Sequence, residues 1–240
     1  MGDTNDPAFV AFSRMDTNVI PFLVERIRAP DSWLENLIHK ANRKQDLVHI
    51  PSSETWPRDL AAAYALYAMG TNAKAALPAL TNMLFHTNGL PACSIPLAGM
   101  GSAGIHALIQ ASTNQSWPIR HLAVSDLGMA RSDFHIVVAT LVDRLSDPKV
   151  AVHQAALISL GQLHKEPGVV VPILTKEFGQ RDLLSKKFVL IALSRFGPDA
   201  RECVPMLLKA LNEPDQSLKR ELGFAVKEID PEAAARAGIR

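Results

Sequence analysis

The second half of the chain repeats one pattern of apolar positions every 33 residues. Three sets of mostly aliphatic residues recur at that spacing: Leu108, Leu141, Leu174 and Leu207; Ala123, Ala156, Val189 and Leu222; Leu127, Leu160, Leu193 and Val226. Such a period is typical of stacked helix pairs, in which each unit is too small to bury its own apolar face and packs against its neighbours. The pattern predicts an all-α solenoid.

Each unit contains two helical segments separated by a turn. Val138, Leu141, Val142 and Leu145 lie at i, i+3, i+4 and i+7, the spacing of one helix face, and the breakers Ser146-Asp147-Pro148 follow. We therefore expect six helix pairs, with first helices near Asn18, Ala73, Ser102, Phe134, Val169 and Ala200 and second helices near Pro57, Pro91, Pro118, Val150, Leu183 and Ser217.

The register also predicts the organisation of the whole chain. Residues 1–16 form an N-terminal segment with a short capping helix, residues 17–230 form the solenoid, and residues 231–240 form a C-terminal cap. An insertion at about 30–56 interrupts the first repeat. Trp33, Leu34, Leu37 and Ile38 predict an amphipathic helix within it, whose apolar side either covers the end of the solenoid or contacts a partner through Trp33.

Two segments carry a resemblance to a known repeat family. Asp147 to Leu157, and Ala200 to Leu211 followed by Glu213-Pro214-Asp215, resemble HEAT repeats, and the short unit is similar to the compact bacterial variety. Tetratricopeptide and ankyrin repeats have closer periods, but the sequence lacks their signature residues. The resemblance covers about residues 18–230 and implies a right-handed, armadillo-like α-solenoid of about six HEAT-like helix pairs.

Composition narrows the class of function. The chain has 25 basic and 24 acidic residues, a net charge of +1, which argues against a general polyanion binder. It lacks a run of about 18 apolar residues and its N-terminus has no signal-peptide features, so we expect a soluble, cytoplasmic protein, with a removed export or anchor segment left open. Oligomeric state is not predicted.

A polar ladder follows the same period as the core. Its basic members open the second helices and its other members lie in the preceding turns: Arg120, His153, Lys186 and Lys219; Asn114, Asp147, Gln180 and Glu213. The resemblance to HEAT repeats implies that the turn residues and the basic residues bond to one another and to the neighbouring repeat. We therefore predict a structural role for these eight residues.

Other polar residues on the second helices are the candidates for partner contact. The resemblance implies that second helices line the concave face, where the predicted contact residues are His121, Lys187 and Arg220, with Asp126 and Lys227 nearby. This set favours a protein or peptide partner with acidic character. The eight histidines lack metal-ligand spacing, and no nucleophile or paired carboxylate stands out, so we expect no metal, cofactor or catalytic residue.

The sequence therefore favours a non-catalytic interaction or scaffold module that uses the concave face of a HEAT solenoid. Resemblance to other HEAT-like proteins implies two alternatives: bilin-lyase-like chromophore attachment or chaperoning, and a HEAT-type DNA glycosylase or another nucleic-acid-binding protein. The first requires tetrapyrrole binding. The second requires a basic groove with aromatic residues and a catalytic carboxylate, which the balanced charge disfavours.

Overall fold

The computed structural model describes residues 7–28, 58–86, 91–180 and 182–239. Trp33 and the insertion at 30–56 lie outside these ranges. Within them, every regular element is an α-helix or a short 3-10 helix. The chain divides into two compact units, Met1–Leu108 and Ile109–Arg240.

The first unit contains short helices interrupted by 3-10 turns. Its α-helices are α1 Pro7–Ser13, α2 Ile20–Arg28, α3 Arg58–Met69, α4 Leu77–His86, α5 Pro91–Ser94 and most of α6 Ser102–Ala111. The 3-10 helices are Thr17–Val19, Gly70–Ala76 and Ile95–Gly99. Helix α3 is central, because α1, α2 and the Ile95–Gly99 turn all pack against it.

Large apolar side chains fill the interior of the first unit. Leu66, Leu80, Leu84, Leu97 and Ile105 are fully buried. Close approach also matters here, since a side chain at Gly99 would place its Cβ 2.5 Å from the backbone oxygen of Tyr67 on α3. The Ile95–Gly99 turn can therefore lie against α3 only because residue 99 has no side chain.

The second unit is the regular part of the molecule. Its helices are α7 Trp117–Leu127, α8 Phe134–Arg144, α9 Val150–Leu163, α10 Pro167–Gln180, α11 Leu183–Phe196, α12 Val204–Ala210, α13 Gln216–Ile229 and α14 Pro231–Arg236, with a 3-10 helix at Gly197–Cys203 before α12. The second helices α7, α9, α11 and α13 pack side by side in that order, and the first helices α8, α10 and α12 each pack against the second helix that follows.

The core of this unit is built from the periodic residues. Members of all three apolar sets, such as Leu141, Ala156, Leu160 and Leu193, are fully buried. Gly161 lets α9 approach α11, because a Cβ there would lie 2.7 Å from the Cα of Ala192. Gly128, which is 33 residues earlier, plays the same part between α7 and α9, where a Cβ would lie 2.8 Å from the Cα of Ser159.

The predicted fold class is confirmed: the chain is an all-α solenoid. A helix is present at each of the twelve predicted positions in the described residues. Two first helices differ in detail from a plain α-helix, since Gly70–Ala76 and Gly197–Cys203 begin them with 3-10 turns. Both turns start at a glycine with positive φ, 58° at Gly70 and 50° at Gly197, a conformation that ends the preceding helix.

Candidate partner-binding face

One side of the second helices in the second unit is turned to solvent, and we call it the exposed face. It consists of four rows of residues, each with one member on α7, α9, α11 and α13: Pro118, Ala151, Leu184 and Ser217; His121, Gln154, Lys187 and Arg220; Ser125, Ile158, Ile191 and Phe224; Met129, Gln162, Arg195 and Glu228. Within each row the spacing is 33 residues. Residues on the opposite side of the same helices belong to the core.

The cationic row of this face is His121, Gln154, Lys187 and Arg220, and it holds three of the predicted contact residues. The Arg220 side chain is 79% exposed and lies 3.6 Å from Glu221. Lys187 is half-buried, and its Nζ donates a hydrogen bond of 2.7 Å to Ser217 Oγ on α13. His121 is half-buried on α7. Two of the three predicted cations therefore have contacts inside the protein and one is freely hydrated.

The apolar row is Ser125, Ile158, Ile191 and Phe224, one helical turn from the cationic row. Phe224 is 58% exposed and Ile191 40%, while Ile158 is half-buried. Leu184, a turn earlier on α11, is also exposed. Sequence reasoning missed this row, although its 33-residue spacing outside the three core sets is a readable signal.

A pocket of about 500 Å³ opens on the exposed face between α7 and α9. Polar lining residues include His121, Ser125, Asp126, Gln154 and Gln162, and apolar ones include Met129, Ala151, Ala155, Ile158 and Phe188. The pocket thus brings together two predicted contact residues, His121 and Asp126. Lys187, Arg220 and Lys227 are not among the residues that line it.

Asp126 is an unusual member of this pocket, because it is only 8% exposed. The residues at its register in the following repeats are Ser159, Ala192 and Ala225, which are small and fully buried where neighbouring second helices meet. Asp126 lies in the last turn of α7, at the negative end of the helix dipole. The repeat pattern therefore supplies no structural reason for a carboxylate at this position.

The polar ladder contains a buried ion pair between successive repeats. Arg120 Nε donates to Asp147 Oδ2 at 2.8 Å and Arg120 Nη2 donates to Asp147 Oδ1 at 3.0 Å. Arg120 also donates to the Asn114 carbonyl at 2.9 Å, and Asn114 Oδ1 accepts from the Ser116 amide. These bonds connect the turn before α7 with the turn before α9.

The surroundings of Asp147 favour its ionised form. Its side chain is 2% exposed, and this burial alone would raise its pKa. Hydrogen bonds from Arg120 and from the Lys149 amide, together with the charges of Arg120 and Arg144, outweigh that cost and hold the pKa of Asp147 below its ordinary value. The same pairing raises the pKa of Arg120. The pair is thus ionised at any physiological pH.

The remaining ladder residues make contacts of several kinds. Lys186 Nζ donates to Glu213 Oε1 at 3.0 Å and lies 5.4 Å from the centre of the Phe178 ring. His153 is buried, and its Nδ1 donates to the Leu145 carbonyl at 2.8 Å. Lys219 is half-buried near the start of α13. Gln180 ends α10, and its side chain lies outside the described residues.

The other predicted residues lie apart from the pocket. Lys227 is half-buried on α13, at the register of Gly128 and Gly161. Cys93 and Cys203 are buried thiols, and burial raises the pKa of Cys203 to about 11, which suppresses its nucleophilic form at neutral pH.

Among the described residues, no three His, Cys, Asp or Glu side chains lie close enough together to hold a metal ion. No helix in the described ranges combines the length and apolar character needed to cross a membrane.

Comparison with known proteins supports the repeat class. The family model "PBS lyase HEAT-like repeat" matches residues 60–86, a span that contains most of α3, the Gly70–Ala76 turn and α4. Two crystal structures of engineered proteins are similar to the chain. One has 17% identity and a TM-score of 0.47 and covers 96% of this chain and 71% of its own. The other has 19% identity and a TM-score of 0.43 and covers 96% and 98%. The comparison with curated proteins gave no match.

The repeat pattern and the family match together define the class: this is a HEAT-like repeat protein, as the sequence predicted. Repeats of this kind are scaffold or interaction modules, and they commonly mediate contacts between proteins.

Proposed function

We propose that this protein is a non-catalytic interaction module that holds an acidic, partly apolar protein segment on its exposed face. The observation that carries the proposal is the pairing of two parallel rows on α7, α9, α11 and α13. The cationic row places Lys187 and Arg220 one helical turn from Ile191 and Phe224 of the apolar row. Exposed apolar side chains beside fixed positive charges are typical of protein contact sites.

The two rows contribute to binding in different ways. Burial of Phe224, Ile191 and Leu184 under a partner removes apolar surface from water, and aromatic residues at the centre of an interface contribute most of the affinity. Lys187 and Arg220 steer an acidic partner and fix its register. The half-buried Lys187 is the better anchor, because its bond to Ser217 already orders the side chain.

The spacing of the rows suggests the form of the partner. Packed helices lie about 8–10 Å apart, so successive members of the apolar row are separated by about that distance. A polyproline-II segment repeats its orientation every three residues, about 9 Å along its axis. An extended segment with an apolar side chain at every third residue and acidic residues beside them therefore fits the exposed face.

The test is affinity capture from native lysate, with cross-linking mass spectrometry to locate the contact. The protein is compared with a charge variant in which His121, Lys187 and Arg220 are all changed to Glu, and with an apolar variant carrying Ile191→Ser and Phe224→Ser. We expect a partner that cross-links to the second helices and is lost in both variants.

A matched control separates the exposed face from charge in general. His135, Lys176 and Lys209 also comprise one histidine and two lysines, and they are exposed on the first helices α8, α10 and α12. Changing these three residues to Glu alters the net charge nearly as the test variant does, and we expect the partner to be retained. A partner that all variants retain, or that the control loses equally, contradicts the proposal.

The name of the matched family model favours a second candidate, attachment or chaperoning of a bilin. A pocket of about 500 Å³ that contains an imidazole and a carboxylate is compatible with that alternative. Absorbance spectra of the protein mixed with a linear tetrapyrrole test it, because binding shifts the visible bands. Unchanged bands at excess protein reject this second candidate and leave the first unaffected.

A further inference from the structure

We infer that the pocket between α7 and α9 receives a basic side chain, arginine or lysine, from the bound partner, with Asp126 as the group that recognises its charge. The inference deepens the proposed function and rests on it for the identity of the occupant. It assigns to the partner segment one cationic residue among acidic ones, and it assigns to Asp126 the role of specificity determinant.

The shape of the pocket suits one long side chain. Its lining runs along α7 from His121 to Met129, which is about 12 Å at the rise of an α-helix. Ala151, Ala155 and Ile158 form apolar walls along α9. The methylene stem of an arginine or lysine packs against such walls while its charged head reaches a polar end.

The polar end of the pocket is rich in hydrogen-bond acceptors. Asp126 and the side-chain oxygens of Ser125 and Gln162 lie on the last turns of α7 and α9. The negative ends of these helix dipoles point in the same direction, which adds to the attraction for a cation. Phe188 lines the pocket from α11 and offers an aromatic face to a guanidinium or ammonium group.

The register of Asp126 separates a binding role from a structural one. Ser159, Ala192 and Ala225 occupy the equivalent positions and allow the helices to meet without a charge. A carboxylate that is 8% exposed, at the negative end of its own helix, opposes folding unless a cation compensates it. A partner cation entering from the pocket supplies that compensation at the moment of binding.

The experiment uses capped amino acids, so it does not require the natural partner. The ¹⁵N-labelled full chain is titrated with N-acetyl-arginine amide and, in parallel, with N-acetyl-citrulline amide, which has nearly the same shape without the charge. We expect saturable shifts of the amides of Ser125, Asp126, Met129 and Gln162 with the arginine compound, and binding weaker by at least about tenfold with the citrulline compound. N-acetyl-lysine amide should also bind.

Three variants complete the design. Asp126→Asn removes the charge with little change in size, and Asp126→Ala reproduces the residue found at 192 and 225. Both should lose the arginine response by at least about tenfold. Glu228→Gln removes an exposed carboxylate of the same face on α13 and should bind as the unmodified chain does. Thermal unfolding of each variant checks that it is folded, and Asp126→Ala should be no less stable than the unmodified chain.

The outcomes decide between clear alternatives. Equal responses to the arginine and citrulline compounds, or an Asp126→Asn variant that still binds, overturn the inference. Shifts confined to Glu221 and Glu228 show surface ion pairing only and also overturn it. The contrast between the two compounds decides the question even if neither Asp126 variant folds. If the probes fail while partner capture still depends on the cationic row, only the pocket assignment is lost and the proposed function stands.

Discussion

The inner and outer sides of the second helices repeat with the same period but vary in different ways. On the inner side, Leu127, Leu160, Leu193 and Val226 are all aliphatic and all fully buried. On the outer side, the cationic row changes from histidine to glutamine, lysine and arginine, and the apolar row changes from serine to isoleucine and phenylalanine. Stacking therefore constrains the inner rows to one residue class. The outer rows are free to differ from repeat to repeat, which is what a binding surface requires.

The largest effect that separates the two sides is expected from Leu160→Ala on α9. Leu160 is fully buried, and its truncation leaves a cavity that costs about 2–5 kcal/mol of unfolding free energy. Ile158→Ala on the same helix is the matched control. Because Ile158 is half-buried on the pocket side, its truncation should cost about 1 kcal/mol or less. Chemical denaturation measures both, and equal losses would contradict the assignment of the two sides.

The ion pair between repeats gives the next largest effect and a pH dependence. Asp147→Asn should cost about 1.5–3 kcal/mol at neutral pH, because Arg120 loses a charged acceptor, although the new amide oxygen still accepts from Lys149. The folded-state pKa of Asp147 is depressed, so its contribution is complete above the ordinary aspartate pKa of about 3.9 and is lost as pH falls through the lower folded value.

Unfolding curves of Asp147→Asn and of the unmodified chain should therefore converge below about pH 3. Asp199→Asn is the control, since its side chain is 59% exposed and lies 3.8 Å from His164. That exposed pair should change stability little at any pH. A constant difference between Asp147→Asn and the unmodified chain down to pH 2 would show that the charge of Asp147 is not the source of the effect.

Close packing between second helices gives the third effect. Gly161→Ala places a Cβ 2.7 Å from the Cα of Ala192, and the helices must separate, at about 1–3 kcal/mol. Gly179→Ala on α10 meets nothing within 4 Å and should instead stabilise the helix by about 0.5–1 kcal/mol. Thermal unfolding of the two variants should thus shift in opposite directions. A shift of the same sign in both would mean that helix propensity, not contact, controls residue 161.

Most of the fold could be read from the sequence because the inner rows are regular. The 33-residue spacing of the leucines located each helix pair of the second unit without knowledge of contacts. The first unit was harder, since Gly70–Ala76 and Ile95–Gly99 are 3-10 turns that shorten its repeats and break the register. The close contact at Gly161 was also unpredictable, because a glycine near a helix end has the same sequence signature whether or not another helix touches it.

The candidate site could be predicted only in part, for a physical reason. The polarity of His121 and Asp126 marked them as contact candidates, but a sequence does not give depth, and the burial of Asp126 distinguishes it from Arg220. The pocket depends on side chains of three helices, whose mutual distances are set by packing. The apolar row was readable from its spacing, yet exposed and buried isoleucines look alike until one side of the helix is known to face solvent.

The smallest effect on stability is expected on the outer side, at Lys187. Its bond to Ser217 joins α11 to α13, but lysine loses side-chain entropy on forming such a bond and water competes for the same groups. Lys187→Ala should therefore cost no more than about 0.5 kcal/mol. A double-mutant cycle with Ser217→Ala measures the coupling directly. A coupling above about 1 kcal/mol would make Lys187 a structural member of the ladder, like Lys186. A value near zero leaves it available to an acidic partner, because breaking the internal bond then opposes binding very little.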